Sequence, residues 1–166
     1  YFPPEVGSAS HLFYELGSEL VERGHEVSVV TGFPRYHAQE IPDYHRKKIF
    51  LRETMTGMNV IRLRVPTLPR HILVARGLDQ FITAWVFLIG GLLVKAHDII
   101  LIYSPPLSLG LAAFFLKKIK KCFIVCNVQD LFPKSAIDLN ILQNPILIRI
   151  FEALEKKIYN WSDFIT

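Results

Sequence analysis

These 166 residues offer a metal ion or a redox couple very little. There are only two cysteines, Cys122 and Cys126, both inside the apolar run KKCFIVCNV. Four positions apart in a strand, they share a face but stand too far apart for a comfortable disulfide. No His, Cys or acid array completes a metal site around them, so they read as buried free thiols of a reducing compartment, and no metal is expected. Long apolar runs are scarce as well. The longest, residues 81–94, has 14 residues and two central glycines, short of the roughly 18 to 20 that a bilayer crossing needs. It predicts a buried or membrane-skimming helix. The dinucleotide fingerprint G-x-G-x-x-G and the Walker pattern are both missing. So are the acidic cluster of a phospho-receiver and the recognition helix or aromatic signature of a nucleic-acid binder. No nucleic-acid partner is expected.

What is present is a core. Apolar residues make up 51% of the chain and charged ones 20%, which suits one buried domain and excludes disorder. The net charge of +4 is regional. Residues 33–76 hold nine basic side chains (Arg35, Arg46, Lys47, Lys48, Arg52, Arg62, Arg64, Arg70, Arg76) against three acids, Glu40, Asp43 and Glu53. That concentration describes a surface rather than the whole protein.

Residues 8–23 read as an amphipathic helix with Leu12, Phe13, Leu16, Leu20 and Val21 on its inner face. Ser8 or Ser10 is placed to cap it, and Gly24 to end it. EVSVVT (26–31) follows as a strand. Helix, glycine, strand is the returning half of a β-α-β unit, so a strand is expected ahead of Tyr1. Residues 32–48 read as a long exposed loop. Residues 49–53 and 59–65 flank a turn and predict a strand pair. Then come an apolar helix (77–96), a strand (98–103) apolar enough for two-sided burial, and a helix with a lysine-rich end (107–119). A buried strand (122–128) precedes a loop carrying Asp130 and Pro133. Asn144-Pro145 reads as N-cap and first residue of a last helix, with Ile146, Ile150, Leu154 and Ile158 inward. Residues 164–166 open another strand. This alternation means an α/β, Rossmann-like domain with a parallel sheet and helices on both faces.

In such sheets ligands bind at the carboxyl ends of the strands, and three loops there stand out. In the first, Gly7, Ser8 and Ala9 are small enough for a diphosphate to approach the backbone at a helix start, with Glu5 beside them. A tight turn needing small residues explains them equally. In the second, Ser104-Pro105-Pro106, Ser104 can cap the next helix and the prolines stiffen the turn. It serves either as a structural turn or as the rigid wall of a site. In the third, Asn127, Gln129, Asp130 and Lys134 place amides, a carboxylate and a cation after a buried strand. Such groups bind hydroxyls or hold a developing charge, with Gln129 and Asp130 as the catalytic candidates.

The stretches YFPPEVGSAS, LGSELVERGHEVSVVTGFPRY, DIILIYSPPLSLGLAA, NVQDLFPKSA and LEKKIYNWSDFIT stand in the order found in family-4 retaining glycosyltransferases of the GT-B fold. The chain resembles their N-terminal domain over nearly its whole length, and within them the bacterial envelope-polysaccharide branch that includes L-fucosamine transferases. The resemblance implies two facing Rossmann-like domains. Residues 1–166 would be the acceptor-side one, with the first strand and a C-terminal donor domain lying outside the sequence and the half alone inactive. Gly7, Ser8 and Ala9 would lie against the donor diphosphate. Glu5, Ser104, Pro105 and Lys134 would line the acceptor side of the cleft. Many relatives present a histidine in the third loop; here the matching position is Gln129, and no such role passes to His25 or His97.

The resemblance further implies a nucleotide sugar as donor, no separate cofactor, and a glycan acceptor carried on polyprenyl diphosphate. The location implied is the cytoplasm, peripheral on the inner membrane. Arg35, Arg46, Lys47, Lys48, Arg70 and Arg76 would then contact anionic headgroups, at roughly 1 kcal/mol each. Two other readings stay open beside this one: a non-catalytic α/β interaction module, and half of a GT-B sugar-nucleotide epimerase.

Overall fold

The structure, a computed structural model, describes residues 2–34, 48–66, 73–95 and 97–166, and of 73–77 the backbone alone. Its elements are α1 Ser8–Glu22, β1 Ser28–Gly32, β2 Phe50–Met55, β3 Met58–Leu63, α2 Leu73–Leu93, β4 Ile99–Ser104, α3 Ser108–Lys120, β5 Phe123–Val128, α4 Lys134–Asp138, α5 Pro145–Trp161 and β6 Phe164–Ile165. They fall into two compact units, Tyr1–Pro66 and Thr67–Thr166. The class is α/β and Rossmann-like.

The first unit is built on a three-stranded sheet in the order β1-β3-β2. β1 runs parallel to β3, and β2 pairs antiparallel with β3 in the expected hairpin. Thr56 and Gly57, with φ of 47° and 79°, make its two-residue turn. Positive φ at both centres gives the connection the twist of the strands it joins. Gly24, at φ 87°, ends α1 as expected. The inner face of α1 differs from the expected one. Leu12 and Leu16 are exposed, whereas Ser10 and Gly17 are buried and Tyr14 and Val21 pack on Phe2, Met58 and Val60. Close approach decides this: a Cβ on Gly17 would stand 2.4 Å from the Met58 sulfur, so the small side chains mark the contact face. The expected serine cap is also absent. Gly7 is the N-cap, and no side chain bonds the first amides.

In the second unit β4, β5 and β6 are all parallel, in that order. Each right-handed crossover in one direction delivers its helix to the same face. That face buries Leu107, Cys126 and Ile158, and, beneath α2 and α3, Ala84, Leu88, Ala112 and Leu116. The opposite face leaves Ile99 60%, Phe123 58% and Phe164 62% exposed. The two-sided burial read from residues 98–103 is therefore met on one side only.

Two helix ends match expectation. Asn144 accepts from the amides of Ile146 (2.9 Å) and Leu147 (3.2 Å), with Pro145 as the first helical residue. The lysines end α3, where Lys121 takes the left-handed C-cap conformation. Ile158 is buried as expected, but Ile146 and Ile150 are exposed. Burial in α5 begins with Phe151 and Leu154, which pack on the core cluster, and is complete at Ile158, which lies against Gly110 of α3. The short α4 occupies what reads in sequence as loop.

Candidate functional site

At the carboxyl end of the first sheet, β3 delivers Arg62, whose side chain is 1% exposed. Its Nε donates to Glu53 Oε1 at 2.5 Å, an ion pair across the hairpin. Its Nη2 donates to the carbonyl of Pro3, while Nη1 has no hydrogen-bond partner. The guanidinium thus holds the turn that leads into α1 down onto the rim of its own sheet. Reading Arg62 as part of a basic surface was wrong: the pleat carries it inward beside Glu53. The turn is closed by the Glu5 amide donating to Phe2 O at 3.2 Å.

Gly7 follows with φ 171°, extended backbone open to any residue, and a Cβ added there would meet nothing within 4 Å. Neither backbone conformation nor neighbouring atoms require a glycine. The tight-turn explanation of the first loop is thereby removed for Gly7. The first helical amides, at Ser8, Ala9 and Ser10, have no intrahelical carbonyl to bond, as at any helix start. They lie at the positive end of a 15-residue helix with no acid in its first turn. Gly7 and Ser8 are exposed; the Ser10 hydroxyl is buried with no hydrogen-bond partner.

At the carboxyl end of the second sheet the other two loops come together. The Gln129 amide donates to Ser104 O at 2.9 Å, carrying the parallel ladder one step past both strands. The Gln129 side chain donates from Nε2 to Asn127 Oδ1 (2.6 Å), and Asn127 Nδ2 donates to Thr166 Oγ1 (3.0 Å). Three polar side chains therefore form one line along this rim. Asp130 next to it is exposed. Ser104 does not cap α3, contrary to the sequence reading. Leu107 is the N-cap, and the Ser104 hydroxyl is buried with no hydrogen-bond partner. Ser108 Oγ instead donates to Gln80 O of α2 at 2.8 Å. Lys134 opens α4, where its Nζ pairs with Asp138 at 3.1 Å along the exposed side of the helix.

Of the basic residues expected at a membrane, Arg35, Arg46, Lys47 and Arg70 lie outside the described residues, as does the side chain of Arg76. Lys48 is exposed, and its carbonyl accepts from Arg64 Nε at 2.8 Å. Behind the second rim the chain is ordinary core. Burial pushes the thiols of Cys122 and Cys126 up from their usual value. It also pushes the Tyr159 hydroxyl, bonded to Glu155 at 3.0 Å, up to about 12. The cysteines are free, as expected. Sequence reasoning missed Arg62 as the anchor of the first loop; its only signal was a lone cation in the apolar strand MNVIRL.

An α/β Rossmann-like domain with polar turns at the carboxyl ends of its parallel strands defines a class that binds ligands at that rim. Family comparison makes the class specific: the model for the glycosyl transferase 4-like domain matches residues 7–166, and the chain belongs to that family. No curated protein and no solved structure matches the chain.

Proposed function

We propose that this chain is the acceptor-side half of a retaining glycosyltransferase. In that reading it transfers a hexosyl-type sugar from a nucleotide donor to a glycan on polyprenyl diphosphate, in bacterial surface-polysaccharide synthesis. A donor-binding domain elsewhere in the full-length protein completes the site. The observation that carries the reading is Gly7. With no packing neighbour and an unstrained backbone, its missing side chain leaves the first amides of α1 open to a diphosphate. Asn127, Gln129 and Asp130 supply hydroxyl-binding and charge-holding groups on the second rim, and Gln129 replaces a histidine in the chemistry. The amide of Gln129 orients a hydroxyl; it does not exchange a proton. Asp130 is then the group available as base or as partner to developing positive charge.

The test is product formation. Full-length protein is incubated with a panel of nucleotide sugars and lipid-linked acceptors, and products are weighed by mass spectrometry. Transfer adds one sugar to the acceptor and releases nucleoside diphosphate. Residues 1–166 alone bind nucleotide sugar weakly in calorimetry and transfer nothing. Conversion of the donor with no acceptor gaining mass would refute transfer and favour the epimerase reading. Tight donor binding by the isolated chain would refute the division of labour.

A further inference from the structure

Asn127 lies near the end of β5 and Gln129 just beyond it, two residues apart, so both side chains rise from one face of the sheet. Thr166 follows β6 one step past the Cys126–Ile165 pair, which sets it beside Asn127. Its backbone is tied to β5 twice: its amide donates to Cys126 O at 3.0 Å, and its carbonyl accepts from the Val128 amide at 2.8 Å. The Gln129 backbone amide is tied to β4 through Ser104 O. The sheet therefore fixes the backbone under these three side chains. What remains to be chosen is which way the two amides turn.

A side-chain amide has a donor end and an acceptor end, and a hydroxyl can be either. Two polarities close this line. In one, Gln129 Nε2 donates to Asn127 Oδ1 and Asn127 Nδ2 donates to Thr166 Oγ1. In the reverse, the Thr166 hydroxyl donates to Asn127 Oδ1 and Asn127 Nδ2 donates to Gln129 Oε1. The structure holds the first, at 2.6 Å and 3.0 Å. Turning either amide alone sets donor against donor or acceptor against acceptor, so the two turn together. The polarity decides what the rim offers. With Nε2 committed to Asn127, the carbonyl Oε1 of Gln129 is the end left for a ligand. It can only accept, and the common donors on a sugar are its hydroxyls. Asn127 is half-buried, with one amide atom turned to each neighbour, so its part in the site runs through Gln129.

We propose that Asn127, anchored on Thr166, is a positioning residue: it keeps the Gln129 carbonyl turned to the ligand, where it accepts from one hydroxyl of a substrate sugar. This rests on the sugar-transfer reading above and adds the polarity of the contact and the residues that set it.

The full-length protein is assayed with monodeoxy analogues of the nucleotide sugar it uses and of the terminal sugar of its acceptor. Removing the hydroxyl that Gln129 receives lowers kcat/KM about tenfold in the wild type. In Asn127→Leu and in Gln129→Leu the parent substrate is already about tenfold worse, and that analogue loses nothing more. Asn127→Asp restores the deoxy penalty, because a carboxylate only accepts, draws Nε2 toward itself and leaves Oε1 outward. Any effect of its charge on rate falls on parent and analogue alike and cancels in the ratio. Thr166→Val frees Asn127 to turn and gives a penalty between those of the wild type and Asn127→Leu. A second readout needs no turnover. In NMR of full-length protein isotope-labelled in its glutamine side chains, one Gln129 amide proton is deshielded by its bond to Asn127. It stays so in Asn127→Asp and not in Asn127→Leu. Circular dichroism of each variant matches the wild type. The proposal falls if no deoxy penalty is abolished by Asn127→Leu, or if Asn127→Asp abolishes it too, the mark of the reversed polarity. It falls equally if neither Gln129 amide proton is deshielded. Without any turnover by the wild type the sugar-transfer reading fails, and the assignment of the hydroxyl with it, whereas the polarity of the line is judged by the amide signal alone.

Discussion

Replacing Arg62 by methionine tests whether the first loop is held by a buried charge. Methionine keeps most of the apolar stem but removes the donors to Glu53 Oε1 and to Pro3 O. Breaking a buried ion pair by deleting one partner costs about 3 to 5 kcal/mol. The Glu53 side chain is 22% exposed and so regains some water, which places this case near the lower end. The tether to Pro3 is a hydrogen bond from a charged group, worth about 1.5 to 3 kcal/mol by itself and already part of that figure. A loss of about 3 kcal/mol is a large share of a stability of 5 to 15 kcal/mol, the usual range for a native protein. Urea unfolding reads it as a lower midpoint with an unchanged slope. Combining Arg62→Met with Glu53→Gln should recover part of the loss, because no carboxylate is then left behind; the two sites should couple by about 1 kcal/mol or more. A loss below 1 kcal/mol for Arg62→Met, or strict additivity in the pair, would show that the guanidinium is a bystander.

Three further outcomes follow from particular contacts. Gly7→Ala should leave the unfolding midpoint within about 0.5 kcal/mol of wild type, the usual range for an unconstrained surface site, while lowering transfer by the full-length protein; loss of stability instead would restore the tight-turn explanation. Gly110→Ala should destabilise, because its Cβ would stand 2.6 Å from Cγ1 and Cγ2 of Ile158, a stiff β-branched side chain 2% exposed. Overpacking of that kind costs about 1 to 3 kcal/mol, offset by up to about 1 kcal/mol of helix propensity; a gain in thermal midpoint would contradict the close packing of α3 on α5. Asp163 is held below the usual carboxylate range by Lys117 and then by the Ile124 amide. A lowered folded pKa gives a contribution that is complete above about pH 4 and lost as pH falls through the folded value. The stability gap between wild type and Asp163→Asn should therefore shrink from pH 5 toward pH 2, and a constant gap would refute the linkage.

Much of this fold is legible in the residues because local chemistry and tertiary position agree. Gly24, Asn144-Pro145 and the lysines of α3 mark helix ends by mechanisms confined to a few residues, and all three stand where expected. The hairpin around Gly57 is equally local. What periodicity alone conveys less well is which face of an element is covered. In α1 the leucines define one apolar stripe and the small residues another, and the sheet took the small one because Met58 fills the space over Gly17. Strand β4 is apolar on both sides, yet within its unit helices cover only one of them. In α5 the spacing runs the full length, but the first turn stays exposed and cover begins at Phe151, against Phe132. At the rims, residue type pointed to Ser104 and Gln129 as neighbours of a ligand site, and their backbones do meet. Orientation was not readable: the Ser104 hydroxyl turns inward and Lys134 turns to Asp138. The X-Pro bonds at Pro4, Pro105, Pro106 and Pro133, all cis, were not foreseen from composition.

The central claim is that turns at the strand ends of this domain receive donor and acceptor. Amide hydrogen exchange on the full-length protein, with nucleotide sugar and acceptor absent, single and combined, reads it directly. Slowed exchange should appear in peptides covering residues 5–11, 103–110 and 127–133, and be largest with both ligands present. Unchanged exchange in those three segments, while ligands protect other parts of the protein, would place the chemistry elsewhere.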